Sequence, residues 1–342
     1  MPIRGIIALP GDKSISHRSL MLSSLSDGVC IINNLSTGKD VESTRVCLEQ
    51  CGIKIESNHN IIKIEGGKFT ESDKVLNCGN SGTTVRLLLG LLAGKGIPAK
   101  FVGDISLSSR PMDRIIKPLA QMGVSFESNN GYLPIRMMPG KLKNISYHIP
   151  VASAQVKSSI LLAALGAPNR TLVYEPIKTR DHTEIMLKKL GADIKIDHRI
   201  SISKLIKPLS DFEITIPGDP SSAAFFAGLA AIVPNSDITI NNILANPSRI
   251  GFFNLLEKMG AGVEWNNIHS ECGELVGDVH VYYQSLNGVN INEDIVPSII
   301  DELPILAIVA SQADGPTIVS GASELRIKES DRITAICSNL FK

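Results

Sequence analysis

The chain has 342 residues, 43% apolar and 20% charged, with 34 Lys plus Arg set against 34 Asp plus Glu. That length exceeds one ordinary core and points to two domains, and the composition excludes a disordered chain. The basic excess of a duplex-binding protein is missing, so nucleic acid is not favoured, whereas local basic clusters in a neutral chain still suit a small anionic substrate.

From the N-terminus, Ile6-Ile7-Ala8-Leu9 reads as a strand broken by Pro10-Gly11. Asp12, Ser14 or Ser16 then caps a helix carrying Leu20, Met21, Leu22 and Leu25. A helix start presents unpaired N–H groups and a positive dipole end, and Lys13 and Arg18 add two cations, so the stretch suits an anion. A plain capped helix with two solvated cations fits it equally well. Asn80-Ser81-Gly82-Thr83-Thr84 leads a helix containing Arg86, with Gly82 allowing close backbone approach to a ligand; a polar cap is the alternative. Ser108-Ser109-Arg110-Pro111 follows the Phe101-Val102 strand, and Arg110 is suited to a carboxylate or phosphate or simply to solvent. Ser153-Ala154-Gln155-Val156-Lys157 opens a third apolar helix.

Further along, Thr179-Arg180-Asp181-His182-Thr183-Glu184 has the spacing of a capping box, Asp181 with Glu184, leaving Arg180 to face a ligand and His182 structural. Ile300-Asp301-Glu302-Leu303-Pro304 places two acids at the start of a fifth apolar helix, where the dipole favours them and an apolar flank makes a base possible. Arg326 to Arg332 packs five charges into seven residues. Six dispersed cysteines include no C-x-x-C pair, and no metal site is assigned. No basic leader with a long apolar run opens the chain and no apolar run matches a membrane span, so a cytoplasmic chain with no membrane partner is expected.

Internal similarity organises the whole. A helix with Leu four residues before Gly, then an alternating strand, recurs at Gly52, Gly123, Gly191 and Gly260, which stand 71, 68 and 69 positions apart. Half a repeat away, Ser-rich starts near Ser14, Ser81, Ser153 and Ser221, and a fifth at Asp301, each lead an apolar helix and a strand. The unit reads β-α-β-α-β-β, an α/β (α+β) class, with apolar helices expected to be buried in each domain. The fifth copy reaches Leu340-Phe341-Lys342 without its Gly, and the expectation is a fragment lacking the end of repeat five and the chain beyond it. Pro217-Gly218-Asp219-Pro220 is the expected internal boundary.

In order, PGDKSISHR, GNSGTTVR, SSRP, VASAQVKSS, TRDHTE, GDPSSAA, IDELP and RIKESDR make the chain resemble the 3-phosphoshikimate 1-carboxyvinyltransferase (EPSP synthase) family, its second class in particular, with Thr179 a small departure. The resemblance implies an inside-out α/β barrel-like enolpyruvyltransferase fold of two domains that close on the substrates. One is discontinuous (1–12 plus 218–342, its sixth unit missing) and the other spans 13–217. It implies transfer of the enolpyruvyl group of phosphoenolpyruvate to the 5-hydroxyl of shikimate 3-phosphate, without metal or organic cofactor, by a monomer. Shikimate 3-phosphate then falls to Lys13, Ser14, Arg18, Ser153, Ala154, Gln155, Arg180, Asp301 and Lys328. Phosphoenolpyruvate falls to Lys13, Gly82, Arg110, Gln155 and Arg332. Asp301 is the implied base and Glu329 the implied proton donor, with Lys13 catalytic beside them. Gly82 implies sensitivity to glyphosate.

The family's sixth unit supplies an Arg and a Lys to phosphoenolpyruvate, so weak binding of that substrate and little turnover are expected of this chain alone. The rival resemblance is to the sister transferase acting on UDP-N-acetylglucosamine, which uses a Lys-Asn pair and a loop Cys. Here Lys13 precedes Ser14, and residues 106–111 contain no Cys. An inactive remnant that only binds ligand is the other alternative.

Overall fold

The computed structural model describes residues 1–58, 60–326 and 330–341. Twelve helices are described in it: α1 (Lys13–Ser23), α2 (Lys39–Gln50), α3 (Gly82–Lys95), α4 (Ile105–Ser108), α5 (Asp113–Gln121), α6 (Ala154–Ala164), α7 (His182–Lys189), α8 (Pro220–Ile232), α9 (Gly251–Met259), α10 (Val296–Ile299), α11 (Leu303–Ala310) and α12 (Arg332–Leu340). The chain divides into unit 1, Met1–Asp12 with Pro217–Lys342, and unit 2, Lys13–Ile216. Pro217 falls in unit 1, where its carbonyl accepts from the Asp12 N–H at 2.7 Å.

Four sheets of four strands share one plan, a parallel pair followed by an antiparallel hairpin. In unit 2, Leu76–Asn77 runs parallel to Ala99–Val102, which pairs antiparallel with Tyr132–Met138 and through it with Ser125–Asn129. Ser146–His148, Thr171–Tyr174, Ile200–Ile202 and Ile194–Ile196 repeat the arrangement. In the first sheet the leading strand arrives from the far end of the unit: Glu213–Thr215 pairs parallel with Val29–Asn33, which continues into Ile61–Glu65 and Lys54–Asn58. Unit 1 has Arg4–Ala8 in the leading place, followed by Asp237–Leu244, Glu274–Tyr282 and Gly262–Glu271.

The marker glycines explain the repeat locally. Gly52, Gly123, Gly191 and Gly260 have φ of 87°, 99°, 94° and 108°, a left-handed conformation that a Cβ penalises, so each ends its helix and turns the chain into the hairpin. At the opposite ends, Ser81 Oγ accepts from the Thr84 N–H at 3.2 Å and Ser153 Oγ from the Val156 N–H at 3.4 Å. Asp219 Oδ1 caps α8 by accepting from the Ser221 N–H at 2.8 Å.

In unit 2 the apolar helices α1, α3 and α6 are buried nearly all round, including Leu20 and Met21, Leu87 to Leu89, and Ile160 to Leu162. Each such side chain contributes roughly 1.5–3 kcal/mol. Unit 1 departs from this expectation. Phe225 (61% exposed), Phe226 and Leu229 of α8 and Ile308 of α11 face outward, because α8 packs on the sheet, α9 and α11 by its other side. Their other sides, with Ala223, Ala227 and Ala231 of α8 and Leu306 and Val309 of α11, enter the unit 1 core, where Phe252 and Phe253 meet edge to face and half-buried Trp265 packs edge to face on Phe253. Cys30, Cys47, Cys51 and Cys78 are buried thiols, and burial, with a smaller contribution from Cys47, pushes Cys51 up to about 12.

Candidate functional site

Each buried apolar helix of unit 2 begins in a polar cluster, and hydrogen bonds tie those beginnings together. Lys13 stands half-exposed at the first position of α1, its Nζ 3.6 Å from Asp40 Oδ2. Arg18 lies one turn inside, 5% exposed, its Nε donating to Thr183 Oγ1 at 2.7 Å and its Nη2 to Ser158 Oγ at 3.0 Å. It also donates to the Ser14 carbonyl at 3.0 Å, so α1, α6 and α7 share one guanidinium.

A second chain runs from His17 Nδ1 to Thr44 Oγ1 at 2.7 Å, on to Thr84 Oγ1 at 2.7 Å and to Ser81 Oγ at 2.7 Å. Burial, then Lys13 and Arg18, hold His17 down to about 3, so it works as a neutral imidazole that joins α1 to the start of α3. Because its folded value lies below the ordinary 6.5, the unfolded chain binds the extra proton between these values, and stability is lost as pH falls from 6.5 towards 3. Denaturation titrations should show a slope of about 1.4 kcal/mol per pH unit in that window that disappears in His17→Gln. An unchanged slope contradicts the assignment.

The third link joins α3 to α6. Gln155 Oε1 accepts from Arg86 Nη1 at 2.6 Å, and its Nε2 donates to Thr83 Oγ1 at 3.0 Å. Gly82 lies beside them: a Cβ there would fall 2.7 Å from Arg86 Nη1 and 3.6 Å from Arg110 Nη1. Arg110 reaches the same start by donating from Nη2 to Asn80 Oδ1 at 2.6 Å. It does not project directly from the end of its strand, since α4 intervenes, capped by Asp104, which also accepts from Asn80 Nδ2 at 2.7 Å. Ser153 and Ala154 form the start of α6.

The Asp181–Glu184 capping box is not formed. Asp181 makes no side-chain cap bond and lies 3.4 Å from Lys178 Nζ. Glu184 turns inward to Lys157, fully buried on α6, whose Nζ is 2.7 Å from Glu184 Oε1, 2.9 Å from Glu175 Oε2 and 3.4 Å from the Thr179 carbonyl. A buried ammonium competes for that carboxylate more strongly than a helix N–H does. Burial raises Glu184 while Lys157 opposes the rise. Glu175 also accepts from the Thr179 hydroxyl, which fixes the segment carrying half-buried Arg180. His182 is buried, in keeping with a structural role.

In unit 1, Asp301 immediately precedes Glu302 at the start of α11, and its Oδ1 lies 3.3 Å from Nη1 of Arg332, the first residue of α12. The structure therefore brings these two expected residues together. The expected roles of Lys328 and Glu329 lie outside the described residues. Arg86, Thr83, His17 and Lys157 complete the unit 2 cluster; Thr83, whose hydroxyl the sequence already offers to a ligand, and Arg86 belong to the helix that residues 80–84 lead, whereas His17 and Lys157 carry no ligand signal beyond a lone Lys inside an apolar helix.

Taken together, unit 2 offers cations, hydroxyls and helix N-termini suited to phosphate and carboxylate groups. The EPSP synthase (3-phosphoshikimate 1-carboxyvinyltransferase) family matches residues 1–342. The chain is 47% identical over 348 residues to 3-phosphoshikimate 1-carboxyvinyltransferase of Thermodesulfovibrio yellowstonii, covering 99% of this chain and 81% of that one. It is 44% identical over 345 residues to the protein of the same name from Geobacillus kaustophilus, with the same coverage. Among solved structures it is similar to EPSP synthase from Acinetobacter baumannii, with a TM-score of 0.90 and 40% identity over 98% of this chain and 78% of that one. The fold also matches the enolpyruvyl transferase NikO from Streptomyces tendae at a TM-score of 0.70 and 16% identity, over 93% of this chain and 75% of that one. The chain belongs to the EPSP synthase family of 3-phosphoshikimate 1-carboxyvinyltransferases.

Proposed function

We propose that the chain transfers the enolpyruvyl group of phosphoenolpyruvate to the 5-hydroxyl of shikimate 3-phosphate, releasing inorganic phosphate, as a cytoplasmic monomer in aromatic amino acid biosynthesis. The observation that carries the substrate reading is Gln155, which joins the starts of α3 and α6 between Arg86 and Thr83, beside Gly82. From unit 2, Lys13, Ser14, Arg18, Ser153, Ala154, Gln155 and Arg180 receive shikimate 3-phosphate, and Lys13, Gly82, Arg110 and Gln155 receive phosphoenolpyruvate. Arg86 orients Gln155. From unit 1, Asp301 serves shikimate 3-phosphate and Arg332 phosphoenolpyruvate, and Lys328 completes the acceptor set.

Asp301 accepts the proton of the 5-hydroxyl as that oxygen attacks C2 of phosphoenolpyruvate, and Glu329 delivers a proton to the methylene carbon. In the second step the Glu329 carboxylate takes a proton back from the new methyl group as the C–O bond to phosphate breaks, restoring the double bond, and the proton held by Asp301 passes to the departing phosphate. Cations around the phosphate, Lys13 among them, stabilise the charge that gathers on the leaving group.

The test is phosphate release from phosphoenolpyruvate with and without shikimate 3-phosphate. Slow release that requires the acceptor, and that falls about a hundredfold or more in Asp301→Asn, is the expected result. Release that ignores the acceptor, or that proceeds with UDP-N-acetylglucosamine instead, overturns the reading.

A further inference from the structure

The sequence carries Pro-Gly-Asp twice, at Pro10-Gly11-Asp12 and at Pro217-Gly218-Asp219, and unit 1 joins the two copies. The Asp12 N–H donates to the Pro217 carbonyl at 2.7 Å and the Asp219 N–H to the Pro10 carbonyl at 3.3 Å, while Gly11 and Gly218 form an antiparallel bridge. One side chain links both aspartates. Arg249 is 2% exposed, with Nη1 2.6 Å from Asp12 Oδ2 and Nη2 3.0 Å from Asp219 Oδ1. Nη2 also donates to Ser221 Oγ at 3.2 Å, and the Ser221 hydroxyl donates to Glu302 Oε1. Asp12 is fully buried and Glu302 is 2% exposed. Burial opposes the charge on Arg249, but Asp12, Asp219 and Glu302 outweigh it and raise the guanidinium well above its ordinary value.

Burying this many ionised groups is a poor source of stability, since apolar replacements of such clusters are often neutral or stabilising. A rigid fork does fix direction, because its two Nη atoms commit two separate chain segments to one plane. Asp12 is bonded directly to Lys13, and Glu302 directly to Asp301. We infer that Arg249 is a positioning residue for the transferase, setting Lys13 through Asp12 and Asp301 through Ser221 and Glu302. The inference rests on the roles proposed above for Lys13 and Asp301.

Four variants test it: Arg249→Lys, which keeps the charge but loses the fork; Ser221→Ala, which cuts only the arm to Glu302; and Lys13→Met and Asp301→Asn as references. Thermal melting, titration with shikimate 3-phosphate and steady-state phosphate release are measured on each. Ser221→Ala takes a donor from buried Glu302, so it should melt lower than the parent but as cooperatively, and lose about tenfold in kcat with KM for shikimate 3-phosphate unchanged, as misplacement of a reacting group predicts. Arg249→Lys should lose about tenfold in kcat and about tenfold in shikimate 3-phosphate affinity. If Arg249→Lys does not fold, the kcat of Ser221→Ala decides. Kinetics within about twofold of the parent in the folded variants, with both references impaired, overturn the inference alone. Unimpaired references overturn the site reading, and the inference falls with it.

Discussion

Lys157→Met should cost unit 2 about 3–5 kcal/mol, the range for breaking a buried ion pair by removing one partner. The Lys157 side chain has no solvent exposure, and its loss strands Glu184, 1% exposed, and Glu175, 12% exposed. Glu184 cannot recover water without opening the packing of α6 against α7, whereas Glu175 keeps its bonds from Thr179 and an edge open to water. Burial already raises Glu184, so the orphaned group should take up a proton, and the variant should recover stability as pH falls. Adding Glu184→Gln should restore part of the loss by removing the stranded charge. Chemical denaturation at two pH values measures all three effects, and a cost below about 1 kcal/mol in Lys157→Met would show that the pair is not buried as described.

The second large effect is steric. Gly90 of α3 lies against Ser159 of α6 so closely that a Cβ would come within 2.8 Å of the Ser159 Cα and carbonyl carbon. Gly94 meets the Leu162 carbonyl oxygen of the same helix at 2.6 Å from its hypothetical Cβ. In an open helix Gly→Ala gains up to about 1 kcal/mol of propensity. At Gly90 the obstacle is backbone that cannot rotate away, so overpacking wins and Gly90→Ala should lose about 3 kcal/mol or more. Gly94→Ala should lose less, because its obstruction is less extensive. Since Gln155 opens α6 and Gly82 opens α3, a forced separation of the helices should also weaken shikimate 3-phosphate binding. Urea denaturation checks the ranking, and an unchanged midpoint in Gly90→Ala would contradict the packing.

The features legible in the sequence are those set by neighbours in the chain. Ser81 and Ser153 cap their helices through contacts three residues away, and the four marker glycines act on their own φ, so the repeat and its helix starts could be read directly. The links between helix starts could not. Gln155 and Arg86 are 69 residues apart, and Arg249 and Asp12 are 237 apart, distances over which no periodicity carries a signal. The same limit explains Glu184, where the local pattern favoured a cap until buried Lys157, 27 positions earlier, claimed the carboxylate. The outward faces of α8 and α11 leave no mark in the sequence, because an all-apolar helix looks the same there whether one side or every side is covered.

If the joined helix starts of unit 2 form the seat of shikimate 3-phosphate, calorimetric titration with that compound registers it without any turnover. The parent chain should bind one equivalent saturably. Lys13→Met and Arg180→Met should each weaken binding by about tenfold or more while unfolding as cooperatively as the parent, as expected for loss of a charge-assisted contact of about 1.5–3 kcal/mol. No heat of binding from a cooperatively folded parent, or affinity equal to the parent's in both variants, would place the shikimate 3-phosphate seat elsewhere.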